Sequence, residues 1–380
     1  MNAPWWERAA TAAAADAANP APESQANISA GTTSASARQM PIAAWRVTLN
    51  GLDLTSAMAP RLISLSISEK RGDEADQLDI VLHDVDGALD IPPKGAVLRV
   101  HLGWRQGSAL PVGLIDKGSF KVDEASWRGP PDQITIRARS ADMTDGFRVR
   151  QDRSFIGQTV LDIIRAIAAD NGLIATVDAA LGAKIIPALG SGAKSDAALL
   201  RALGKRFDAV ATVKAGELIF GPIGNGAAPH GESLPGHIIA RSQTVDVDYS
   251  RIDQNDRSGV SASWHDKSTG KRKTVKAAAG RTGPDGTPPQ GKAKRLRKVY
   301  ASEAAAKQAA DAENSRLART KAKCTIKLAY GRPDIFPQRP ITLAGFKPEI
   351  DAARWIVSEC SHNMDGSGGL QSSLTLEATG

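Results

Sequence analysis

Six histidines are the side chains of this sequence best suited to acid–base or metal chemistry, and their spacing supports neither. His83, His101, His230, His237, His265 and His362 are scattered. No HExxH pair stands a helical turn apart to hold zinc, and no G-x-S-x-G elbow presents a nucleophile. Asp84, Asp86 and Asp90 resemble a calcium loop, but Gly87 and the positions after it do not supply the ligands such a loop needs. Cys324 and Cys360 lie far apart, outside any metal or redox spacing, each in a strand-like run. Both read as reduced core thiols, with a disulfide between neighbouring strands as the unsupported alternative. His362 stands at a strand end beside a glycine-rich turn and reads as a hydrogen-bonded structural histidine rather than a ligand. No acid, base and nucleophile converge, so the sequence assigns no catalytic residue, no cofactor and no metal, and the protein is expected not to be an enzyme.

Charge gives a second candidate. The net charge is +7, and from Lys267 to Lys298 eleven lysines and arginines are opposed by Asp285 alone. Glycines and prolines interrupt the middle of this stretch, which predicts a solvated basic loop over 267–298. Lys271, Arg272 and Lys273 are its candidate contact residues, toward an acidic partner surface or, as the alternative function, toward nucleic acid bound by a β-barrel module. No aromatic is interleaved with the charges, which weighs against nucleic acid.

The elements that position these residues follow from periodicity. At 380 residues, with 42% hydrophobic and 4% aromatic residues and many glycines and prolines, the chain is long enough for two or three Leu/Ile/Val/Ala cores rich in turns. No apolar run is long enough for a membrane helix, and charges at Glu7, Arg8 and Asp16 break up any signal-peptide core. Synthesis in a reducing cytoplasm without insertion into a membrane is the expectation. Residues 1–40 read as a flexible Ala/Ser/Pro-rich arm, with Trp5 and Trp6 able either to anchor a neighbouring protein or to cover the chain's own surface. Over 41–150, short alternating runs around Leu65, Leu78, Leu98, Phe120 and Ile134 predict a first β-barrel. Over 151–240, helical spacing at Val160–Ala168 and Leu199–Phe207, then a hairpin turned at Ala215-Gly216, predicts a small α+β domain. A second barrel spans 241–380, with an inserted helix over 302–319 whose Ala305 and Ala309 lie on a face small enough for close approach of another backbone. In its last run, Leu370, Ser372, Leu374 and Leu376 share one side. Trp127 and Trp355 read as barrel core. The fold class expected is thus α+β, mainly β: two small β-barrels flanking a small α+β domain.

Four segments together resemble one family. EKRGDEADQLDIVLHDVDG (69–87), RSFIGQTVLDIIRAIAADNGL (153–173), KSDAALLRALGKRFDAVATVKAGELIFGP (194–222) and the closing stretch with Trp355, His362, Leu374 and Leu376 resemble the late control protein D family of contractile-tailed phages. The order matches and spans nearly everything past residue 45. More distantly, the architecture is similar to VgrG-like proteins of type VI secretion. The resemblance implies tail-hub architecture, a homotrimeric ring, and a place in a virion baseplate or phage-like particle. The partners it implies are a central spike protein, a tail tube protein, baseplate wedge proteins and a tape-measure protein.

Overall fold

The computed structural model describes residues 39–72, 75–108, 110–141, 145–190, 192, 194–214, 216–229, 231–251, 259–278, 293–366 and 369–379. Trp5 and Trp6 lie outside them.

Strands form where apolar residues alternate. In Leu62–Lys70, Leu65 and Ile67 are fully buried while Ser66 and Ser68 face outward. In Gly369–Thr379 the buried set is Leu370, Ser372, Leu374 and Leu376, as the alternation requires. These strands belong to one 13-stranded sheet. From one end its main path runs Thr244–Arg251, Ala322–Leu328, Gly369–Thr379, Arg354–Asp365, Leu62–Lys70, Gln77–His83, Gln133–Ser140, Gly113–Arg128, Val97–Gln106, Ile42–Leu49 and Leu52–Asp53. Pro340–Ala344 branches from Arg354–Asp365 and pairs in parallel with His237–Ala240.

The protein is mainly β, as the sequence predicts, but the two barrels are not closed among the described residues. Leu62–Lys70 does not turn back to seal a ring of its own. Its free edge takes Arg354–Asp365 in antiparallel register, from Ser64 opposite Asp365 to Lys70 opposite Glu359. The early and late β regions are therefore fused edge to edge, each with its own apolar cluster on the sheet. Trp355 is core at 1% exposure, whereas Trp127 is 52% exposed near the end of its strand, contrary to its reading as core.

Between them sits the α+β part. Thr159 caps helix Val160–Asp170: its hydroxyl accepts from the Asp162 backbone N–H at 3.1 Å, and the Asp162 carboxylate accepts from that of Thr159 at 3.2 Å. Ile163, Ile164 and Ile167 pack with Leu199, Leu200 and Leu203 of helix Asp196–Phe207 onto Leu218 and Phe220. Burying each such side chain contributes about 1.5–3 kcal/mol.

The basic stretch is not a simple loop. Arg272–Ala278 and Lys294–Tyr300 are strands flanking Gly259–His265, the first antiparallel and the second parallel. Alternating residues over Val260–Trp264 favour a strand in spite of the surrounding charge. Helix Glu303–Arg319 packs on this small sheet, but through Ala306 and Ala310, both 0% exposed, against Val260, Ala262 and Ala277. Ala305 and Ala309 lie one position off that contact and are half-buried. The helix meets a sheet, so the inward stripe follows its own 3.6-residue turn rather than the spacing of 301, 305, 309 and 312.

Candidate functional site

The chemistry-bearing side chains converge at the seam between the two β regions. In Leu62–Lys70 the inward parity of Leu65 and Ile67 continues to Glu69. In Arg354–Asp365 it places Cys360, His362 and Met364 inward. The register sets Cys360 opposite Glu69. Lys117 reaches the same point from Gly113–Arg128, where an irregular register beside Gly118 (φ +92) turns it inward.

Lys117 Nζ lies 2.5 Å from Glu69 Oε2 and donates to the Pro333 carbonyl at 3.0 Å; both side chains are almost fully buried. His362 Nε2 is 3.4 Å from the same carboxylate oxygen, and the Cys360 thiol donates to it at 3.4 Å. A second ion pair adjoins the first. Lys214, from the α+β part, bonds Asp76 and comes within 3.9 Å of Glu69 Oε1. Ser372 Oγ accepts from the Arg332 backbone N–H at 2.9 Å and shares a 2.7 Å hydrogen bond with His362 Nδ1. The other ring nitrogen, Nε2, faces Glu69.

Burial alone would raise the Glu69 pKa, but the His362 hydrogen bond and the charges of Lys117 and Lys214 hold this carboxyl well below the usual range. Burial, with Lys117 nearby, lowers the pKa of His362 and keeps the ring neutral. Burial and the Glu69 charge push the Cys360 thiol up, and burial pushes Asp76 up in spite of Lys214. Glu69, Cys360 and His362 present ligand atoms within 4.8 Å of one another, a set that could hold a soft divalent ion. Lys117 already supplies the cation: two carboxylates meet two ammonium groups beside a neutral imidazole and a neutral thiol. A divalent ion would have to displace an ammonium 2.5 Å from its carboxylate, so the donor set fits a charge-balanced lock better than a metal centre.

The other candidates are dispersed. Asp86 is taken by Arg61, with both guanidinium–carboxylate contacts at or near 2.5 Å, and Asp84 accepts from the Leu89 backbone N–H at 3.0 Å. Those carboxylates are occupied rather than poised for calcium. His83 bonds the Pro60 carbonyl at 2.9 Å. Within the basic stretch, Lys273 pairs with Asp266 at 2.6 Å and lies over the Trp264 ring, while Lys271 and Arg272 are exposed. Cys324 and Cys360 are both free. Glu69 and Lys117 were not among the expected site residues. The parity of Glu69 with Leu65 and Ile67 was the available signal.

The phage tail baseplate hub (GPD) family matches residues 83–367. The "Probable baseplate hub protein" of Escherichia phage 186 is 36% identical over 356 residues, covering 86% of this chain and 90% of that protein. The chain belongs to the phage tail baseplate hub family. The hub fold is also visible in solved structures. A tail protein from Neisseria meningitidis MC58 superposes with a TM-score of 0.61 at 14% identity, over 88% of this chain and 96% of that one. An Escherichia coli component of the type VI secretion system, described as structurally similar to the T4 tail proteins gp27 and gp5, gives a TM-score of 0.53 at 10% identity. It covers 88% of this chain and 77% of that one. In this baseplate hub chain the described residues bring together no acid, base and nucleophile in an open cleft. Their densest chemistry is the buried lock at the seam. No helix among them is long and apolar enough to cross a membrane.

Proposed function

We propose that this hub chain forms a ring of three subunits at the base of a contractile tail or phage-like injection device. The ring joins the tail tube to the central spike and works by rigidity rather than catalysis. The fused sheet carries this reading. The locked seam makes one stiff body of the two β regions, so each subunit offers two β faces to its neighbours. Ile156, Ile185, Ile238 and Val245 are each more than half exposed, apolar side chains suited to burial against other subunits or tail proteins. Contacts with wedge and tape-measure proteins, and a location in the virion baseplate, belong to the same reading.

The test is native mass by light scattering on a sizing column at moderate salt. A mass three times that of the chain, alone or after co-expression with its spike, is expected. A monomer under both conditions overturns the ring.

A further inference from the structure

We propose that the outer face of the small sheet, the side away from helix Glu303–Arg319, docks an acidic protein surface. In Gly259–His265, alternation sends Val260, Ala262 and Trp264 toward the helix and Ser261, Ser263 and His265 to the opposite side. Register partners share a face. Lys276 and Arg295 therefore flank Ser261 from the two neighbouring strands, Thr274 and Val299 lie beside Ser263, and Arg272 beside His265. With strands about 4.8 Å apart, Lys276 and Arg295 stand roughly 10 Å apart. Ser261 and Ser263 between them are buried, so what this face exposes are the cations of the two outer strands, with Thr274 and Val299.

The two faces of this sheet treat their cations differently. On the helix side, Lys273 is paired with Asp266 and Lys294 with Glu313, each at 2.6 Å. On the outer side, Arg272, Lys276 and Arg295 are exposed, and none has a carboxylate partner among the described residues. Charge complementarity therefore favours an anionic occupant.

Protein carboxylates fit better than a nucleic acid strand. Trp264 and Tyr300 are register partners and pack on the helix side, so the outer face offers no indole or phenol on which bases could stack. Spaced, exposed cations suit carboxylates presented by a folded surface. The assignment does not depend on how many subunits form the ring, because the face belongs to the small sheet of a single chain.

The probe is labelled poly-L-glutamate, titrated into the full chain by fluorescence anisotropy beside a DNA duplex of similar length. The expected result is salt-sensitive binding of polyglutamate that weakens about tenfold in Lys276→Gln/Arg295→Gln. Lys307→Gln/Lys321→Gln, which removes the same charge elsewhere, should weaken it by about twofold or less. Matching thermal melts would show that both variants fold. Three results overturn the proposal: no binding of polyglutamate at low salt, equal losses in the two variants, or tighter binding of duplex that the same face variant abolishes. The last would assign the face to nucleic acid.

Discussion

The seam and the small sheet–helix lobe solve the same problem, holding two elements together, by opposite means. At the seam, two strands join through a ladder of backbone hydrogen bonds whose inward face is ionic, with Glu69, Lys117, His362 and Cys360 buried together. In the lobe, helix and sheet meet mainly through alanines, and the buried carboxylates, Glu313 and Asp266, each pair with a lysine that reaches solvent. Apolar contact alone tolerates small shifts; a buried ionic cluster does not, because each displaced partner leaves a charge unsolvated. The seam is thus the place where register is fixed, and the lobe the place where surface chemistry can vary without disturbing the fold.

This contrast can be broken experimentally. Lys117→Met, which strands Glu69 in the core, should cost about 3–5 kcal/mol in denaturant unfolding, and adding Glu69→Leu should recover much of it. If the single and double variants are equally unstable, the seam is held by shape rather than by charge. In the lobe, Ala310→Leu should cost about 1–3 kcal/mol by forcing helix from sheet, and Ala309→Leu clearly less. Equal costs would return the contact to the stripe expected from the sequence.

Acid should separate the two regions further. His362 is held neutral in the fold, so its lowered pKa contributes stability above the unfolded value of about 6.5, and that stability is lost as pH falls. Glu69, also lowered, adds a loss at lower pH, as its carboxyl must protonate. The unfolding free energy should therefore drop between pH 7 and 5 by on the order of 1 kcal/mol, and His362→Gln should flatten that slope. A melt unchanged across this range would mean that the ring is not held neutral. The smallest effect is expected for Lys214→Ala, about 1 kcal/mol or less, since its side chain is partly exposed and Asp76 can protonate once the ammonium is gone.

Much of this fold was legible in the sequence because alternation and helical spacing are local signals. The strands around Leu65, Leu78 and Leu374, the helix after Thr159 and the final hairpin could each be read from a dozen residues. Partnership could not. Nothing near Leu62–Lys70 says that its free edge will be taken by Arg354–Asp365 rather than by a closing strand of its own region. Glu69 carried a readable sign, an acid at inward parity, but Lys117 carried a misleading one. By alternation from Phe120 and Val122 it faces outward, and only the irregular register beside Gly118 turns it in. In the basic stretch, charge suggested a loop where the strand on either side is fixed by pairing with Val260–Trp264.

The pairing of Leu62–Lys70 with Arg354–Asp365 also sets a schedule. A ribosome makes the first of these strands long before the second, so the growing chain carries an unpaired, alternating edge until Arg354–Asp365 emerges. Such an edge invites the wrong neighbour, including the same strand of another nascent copy. Glu69 also waits for His362 until the late strand is made. A chain stopped short of Arg354 would keep that edge open permanently, so prematurely terminated copies should collect in aggregates instead of entering tails as defective subunits.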